Sequence, residues 1–320
     1  MRAWRIKPER PADVSASKNR PVWNDLPASV RADIEQLVGG SVVRAQNCPG
    51  GFSPGFASRL TGADGRRVFV KAIDVEAWPW DGEHHRAEAR TAAALPATIP
   101  APKLLGTRDD RKWTILAFED IDGRQPHQPW VRADLDQVAA ALDRLAEVAS
   151  PSPIVLPRDH PRLGGWSELA CDEHRLMQIP KVSTWAADNL ERLIRLEAQG
   201  MVVAQGDSLV HFDLYPHNIL VAPDRAVFVD WPHARLGASI VDVVMLLSSV
   251  SADEIDPDPI LHDCAAARSE KAEVVNAILA AHAGFLMLGA LSPMPPGLEA
   301  IAAAKLHLGL GSLAWLQQRL

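Results

Sequence analysis

Residues 208–231 read SLVHFDLYPHNILVAPDRAVFVDW, and the fold turns on how this stretch is arranged. Leu209 and Val210 lead into His211, a polar loop carrying Pro216 comes next, and an apolar run from Ile219 to Val221 then meets a turn at Pro223 and Asp224. A second short strand, from Ala226 to Val229, ends on Asp230. Short apolar runs separated by Pro and Asp read as a hairpin. Asn218, at the start of one strand, and Asp230, at the end of the other, are therefore expected side by side. Phosphoryl transfer from a nucleotide needs a carboxylate to accept the proton of the attacking hydroxyl and oxygen ligands to hold magnesium on the phosphates. Asp213 suits the first task, and Asn218 with Asp230 suits the second. The same stretch allows a rival reading, in which His211, Asp213, His217 and Asp230 bind a transition metal for hydrolysis. That reading leaves Asn218 and the upstream features without a task.

A chain of 320 residues exceeds the length that one core usually serves, so two lobes are expected. Hydrophobic residues at 47% and charged residues at 23% are ordinary for a soluble globular enzyme. The net charge of -7 argues against nucleic acid as a partner and is compatible with a cationic substrate. Cys48, Cys171 and Cys264 are odd in number and far apart, which suits a reducing cytoplasm better than a disulfide framework. The opening MRAWRIKPER leads into PADVSASKNRP rather than an apolar core, so no signal peptide is expected. The longest apolar stretches, near 240–247 and 283–291, are shorter than the ~20 residues of a membrane helix. The expectation is a soluble monomer with no membrane partner.

Upstream of the central stretch, residues 1–22 read as a loosely held arm, 23–120 as a nucleotide-binding lobe, and 121–320 as a helical lobe carrying the catalytic loop and substrate pocket. Val30, Ile34, Leu37 and Val38, stopped by Gly39 and Gly40, describe a helix over Pro27 to Val38. Strands are expected from Ser41 to Gln46 and from Arg66 to Ile73, with GGFSPG, Gly50 to Gly55, between them. A Rossmann or Walker loop would need a helix after the glycines. A hairpin over a triphosphate fits instead, with Gly50, Gly51, Ser53 and Gly55 as its candidates, because glycine lets backbone N–H groups come close to phosphate.

In VFVKAI the two-residue period places Phe69, Lys71 and Ile73 on one face. A lysine in such a strand needs anionic partners, which phosphates and a helix glutamate would supply. The helix expected from Asp81 to Leu95 offers Glu88 for that purpose, with Glu83 as second choice. Trp113 to Phe118 reads as a strand broken by EDIDG. Beyond Ala133 the apolar spacing is helical, with a second helix from Ser183 to Gln199 ending at Gly200. An acidic run (Asp253, Glu254, Asp256, Asp258, Asp263) reads as a solvated loop, followed by apolar helices at 270–290 and 297–320.

The ordered set of GGFSPG, VFVK, RAEARTAAALP, HFDLYPHN and VDW resembles the aminoglycoside phosphotransferase family of the protein-kinase-like superfamily, over roughly residues 40–320. The resemblance implies an α+β, bilobal kinase-like fold: a five-stranded antiparallel N-lobe sheet with one main helix, and a mainly helical C-lobe. It implies that Asp213 orients or deprotonates the acceptor hydroxyl, that Asn218 and Asp230 hold Mg2+, and that Lys71, braced by Glu88, contacts the phosphates of ATP or GTP. By the same resemblance Phe118, Glu119 and Asp120 form a hinge against the base, while His211 and Asp242 support the catalytic loop. The acceptor it implies is a hydroxylated small molecule, in first place an antibiotic whose amino groups the acidic run could bind. Choline-, homoserine- or fructosamine-type metabolite kinases are the alternative. The family usually has glycine where Phe212 stands, and the bulkier residue is expected to narrow the space beside Asp213.

Overall fold

The structure is a computed structural model, described here for residues 20–48, 53–294 and 299–320. Its elements are numbered in chain order. After α1 (Ala28–Val38) come β1 (Val42–Asn47), β2 (Phe56–Gly62) and β3 (Arg67–Asp74), then α2 (Pro79–Ala94), β4 (Leu104–Asp109) and β5 (Trp113–Glu119). The five strands form one antiparallel sheet in the order β1-β2-β3-β5-β4. Alternation in β3 sends Val68, Val70 and Ala72 into a core shared with Val30 and Ile34 of α1. Lys71 thereby faces the opposite side, where α2 packs. The sheet and its topology match the expected N-terminal half. The edge strand β4 had no clear signature, because LLGTRD alternates poorly and its register shifts between Leu104 and Gly106.

The remainder is helical: α3 (Arg132–Val148), four short helices α4 (Trp166–Cys171), α5 (Glu173–Leu176), α6 (Ile179–Val182) and α7 (Thr184–Asp188), then α8 (Leu190–Val203), α9 (Ile240–Ala252), α10 (Asp258–Asp263), α11 (Ala272–Leu291) and α12 (Glu299–Arg319). Two small ladders interrupt it, β6 (Ser208–Val210) with β9 (Arg235–Gly237) and β7 (Ile219–Val221) with β8 (Ala226–Phe228). The helix α11 is 20 residues long, more than the apolar stretch at 283–291, because Asn276 and His282 interrupt the apolar run without ending the helix. By length and composition it could cross a membrane, yet most of it is buried, with α8, α9 and α12 packed around it.

The helix expected over 183–199 is in fact two. The chain breaks at Asn189, and α8 then continues through Gly200 to Val203. Gly200 is a contact residue rather than a stop: a Cβ there would lie 2.3 Å from the Ala277 carbonyl oxygen, so its absence lets α8 and α11 touch backbone to backbone. Buried Glu197 of the same helix accepts the N–H groups of Gly165 (2.7 Å), Trp166 (2.6 Å) and Ser167 (3.2 Å), capping α4. Part of the acidic run is also structural. Asp253 accepts the Trp130 N–H at 2.9 Å, and Asp258 pairs with Arg319. Neither is a free carboxylate for an amine.

Candidate active site

Strand β6 delivers the chain to His211, and Asp242 in the first turn of α9 fixes the start of the loop that follows. Its carboxylate accepts the N–H groups of His211 at 2.7 Å and Phe212 at 2.9 Å. Burial pushes the Asp242 carboxyl up to about 7, with those two amide donors pulling the other way. The His211 ring packs on Trp231, centroids 4.4 Å apart, and its Nε2 lies 3.0 Å from the Val229 carbonyl, tying the loop to the hairpin. Phe212 has a φ of +65°, in the left-handed region that glycine occupies without steric cost. Its ring is fully buried and stacks on His160 at 5.0 Å. The bulk expected beside Asp213 is therefore taken up by the core.

The Asn218 Nδ2 donates to the Asp213 carbonyl at 2.9 Å and to Asp213 Oδ2 at 3.1 Å. With its NH2 turned that way, the amide oxygen of Asn218 points to the other side. The Val229 N–H donates to the Asn218 carbonyl at 2.9 Å, so Asn218 and the residue before Asp230 are locked together. Asp230 itself, at φ +68°, places Oδ1 2.8 Å from Lys71 Nζ. The same ammonium lies 2.8 Å from both oxygens of Glu88 on α2. Glu83, the second choice, pairs with Arg86 instead.

One lysine thus joins two carboxylates from opposite halves of the molecule. Burial disfavours charge on Lys71, but Asp230 and Glu88 outweigh it and raise its pKa above the ordinary lysine value. Burial likewise opposes ionisation of Asp230, yet Lys71 holds that carboxyl well below the usual carboxylate range. Glu88 is the more deeply enclosed of the pair, and burial raises it despite Lys71. The oxygen donors Asn218 and Asp230 fit a hard divalent cation.

Residues 46–275 match the sequence profile of the phosphotransferase enzyme family. The chain belongs to that family. No curated protein shows significant similarity to this phosphotransferase. Among solved structures, a candidate fructosamine-3-kinase from Haemophilus somnus is 15% identical, with 90% of this chain and 96% of that one aligned at a TM-score of 0.54. The amicoumacin kinase hAmiN, in complex with AMP-PNP, Ca2+ and Ami, is 11% identical over 88% and 93% of the two chains, at 0.54. APH(2'')-IIa in its gentamicin complex is 14% identical over 92% and 96%, at 0.51. At these identities the likeness is one of fold, and that fold is the kinase-like one.

The other expected site residues of this phosphotransferase divide. Gly50 and Gly51 lie outside the described residues. The Ser53 hydroxyl accepts the Gly55 N–H at 3.3 Å. Gly55 is glycine for a local reason, since a Cβ there would lie 2.8 Å from the Ala72 carbonyl oxygen of β3. Phe118 is buried at the end of β5. The Glu119 N–H is already given to the Lys103 carbonyl at 2.9 Å, so it is not a donor to a base. The Asp120 carboxylate is held by Arg59 at 3.1 Å and Arg67 at 2.6 Å, which leaves these two positions little beyond backbone to offer. Among the described residues no three His, Cys, Asp or Glu gather as a metal set, and the His211 ring is turned to Val229, so the rival hydrolase ligands are not assembled.

Three cations near this centre were not anticipated. Arg162 lies 3.0 Å from Asp213 Oδ1, Lys305 faces the same region, and half-buried Arg20 feels the charge of Asp230. The Arg20 Nε is buried with no hydrogen-bond partner among the described residues. The described edge of the arm expected to be loosely held, Arg20, thus lies within the field of Asp230.

His85 on α2 lies near Lys71, and burial with that neighbouring charge holds its imidazole at about 4, below the ordinary 6.5. Between those values the unfolded chain binds a proton that the native state refuses. Stability owed to neutral His85 is therefore present above pH 6.5 and is lost as the pH falls towards 4. Urea unfolding should show His85→Leu losing about 2 kcal/mol less than the wild type between pH 7 and pH 5. Equal losses would remove His85 from the account.

Proposed function

We propose that this phosphotransferase moves the γ-phosphoryl group of ATP or GTP to a hydroxyl of a small molecule. The observation that supports this best is Lys71 Nζ at 2.8 Å from both Glu88 and Asp230, with Asn218 and Asp213 hydrogen-bonded to each other beside it. Lys71, braced by Glu88, binds the phosphates. Asn218 and Asp230 hold magnesium, which when bound neutralises charge on the phosphates. Asp242 and His211 fix the loop, so Asp213 meets the acceptor at a set position. The hydroxyl oxygen bonds to the γ-phosphorus as the bond to the bridging oxygen breaks. The electron pair leaves on the nucleoside diphosphate, and the hydroxyl proton passes to Asp213.

For the acceptor we favour a hydroxylated antibiotic or a related metabolite. Structural neighbours include an amicoumacin kinase and a gentamicin complex, and also a candidate fructosamine-3-kinase, so a metabolite kinase is the second reading. Three free cysteines and nucleotide chemistry suit a reducing cytoplasm. A coupled assay of nucleoside diphosphate release, run with ATP and GTP over aminoglycosides, peptide and nucleoside antibiotics, amino alcohols and hydroxy acids, tests the reaction. Release that depends on an acceptor is expected. Release unaffected by every acceptor would count against it.

A further inference from the structure

Beside Asp213 lies a cluster that the transfer reaction, as described, leaves unused. Arg162 sits in the loop between α3 and α4, followed by Gly164 and Gly165 at φ +89° and +156°. A Cβ on Gly165 would lie 2.3 Å from the Gly284 carbonyl oxygen, so this loop is seated directly on α11. The seating brings the Arg162 guanidinium 3.0 Å from Asp213 Oδ1 and 5.7 Å from the centroid of Phe285. Lys305, from α12, reaches the same ring, with Nζ 5.0 Å from its centroid. Its stem crosses Gly289, where a Cβ would lie 2.6 Å from both Cδ and Nζ. The glycine lets the lysine lie inward along α11.

Two cations therefore share one half-buried aromatic ring next to the carboxylate that meets the acceptor. Burial lowers the Lys305 pKa, Arg162 adds to that by repulsion, and Asp213 is the acid that offsets them. Such a mouth repels an ammonium group. Two acids of the run that could have welcomed one, Asp253 and Asp258, are spent on Trp130 and Arg319.

We infer that the acceptor is an acid as well as an alcohol, its carboxylate or phosphate group bound by Arg162 and Lys305 while its hydroxyl meets Asp213. This rests on the phosphotransferase reading and adds the acceptor's charge to it. An arginine fork binds such an oxyanion in two-pronged fashion. In doing so Arg162 leaves the Asp213 carboxylate, which is then free to take the hydroxyl proton.

The test uses the full chain loaded with magnesium and AMP-PNP or GMP-PNP, titrated calorimetrically with matched sets: gluconate, glucose and glucosamine, then glycerate, glycerol and serinol. In each set the carboxylate should bind about tenfold tighter or more than the other two, the gain typical of a charge-assisted contact. Lys305→Met should remove most of that preference, and Lys305→Glu should turn it towards the amine, an inversion that a packing role would not produce. The inference is overturned if the neutral or amino member binds as well as the carboxylate, if no carboxylate binds saturably, or if Lys305→Glu keeps the wild-type order. Nucleotide binding, measured first in each protein, separates the two levels. Its absence in the wild type sinks the phosphotransferase reading, whereas nucleotide binding without carboxylate preference sinks the acceptor assignment alone.

Discussion

Asp213→Ala should lower turnover by about 10²- to 10⁴-fold, the range spanned by positioned general bases, while nucleotide affinity changes little. The separation comes from the geometry. Asp213 is hydrogen-bonded to Asn218 and paired with Arg162, whereas the lysine that joins the two halves pairs with Glu88 and Asp230. Truncating Asp213 removes the proton acceptor and leaves the phosphate clamp standing. Asp213→Asn is the companion variant: it keeps the volume and the contact with Asn218 but not the charge, so it should lose as much. Nucleoside diphosphate release gives turnover and calorimetry gives affinity. Full activity in either variant would remove Asp213 from the chemistry.

The second large effect is expected at Asp230, through nucleotide binding rather than through the proton. Asparagine is the better replacement here than alanine, because φ is +68° and asparagine tolerates the left-handed region. Asp230→Asn removes the charge proposed to hold the metal and one of the two carboxylates on Lys71. Magnesium-dependent affinity for ATP or GTP should fall about 100-fold, the cost of losing a charged contact in a shielded site. The residual binding should no longer respond to magnesium. A titration curve unchanged from the wild type, with and without the metal, would contradict the assignment.

The parts of this centre that were legible in the sequence lie close together along the chain. His211, Asp213, Asn218 and Asp230 fall within one strand, loop and hairpin, so local turn chemistry is enough to place them side by side. Lys71 and Glu88 come from elsewhere, but a lysine on a strand face turned away from the α1 core, followed by an alanine-rich helix, leaves few partners to choose from, and the structure brings them together at 2.8 Å. Arg162 and Lys305 were invisible for the opposite reason. Arg162 acts from a loop about fifty residues before Asp213, and Lys305 from the last helix, and neither carries a local signature. The glycines beside them, Gly165 and Gly289, were the only trace. The helix over 183–199 was misjudged because Gly200 reads as a stop when its partner, Ala277, cannot be seen. Phe212 shows the same blindness to backbone geometry, since its positive φ and buried ring result from the way Asp242 holds the loop.

Transfer of phosphorus from nucleotide to alcohol is the claim on which everything else rests, and phosphorus NMR of a complete reaction reads it directly. With an accepted alcohol, the γ-phosphate resonance should fade as a phosphomonoester resonance grows in equal amount alongside the nucleoside diphosphate, and the Asp213→Asn protein should leave the spectrum unchanged. Growth of inorganic phosphate in place of the ester, or ester growth at the wild-type rate with the Asp213→Asn protein, would contradict it.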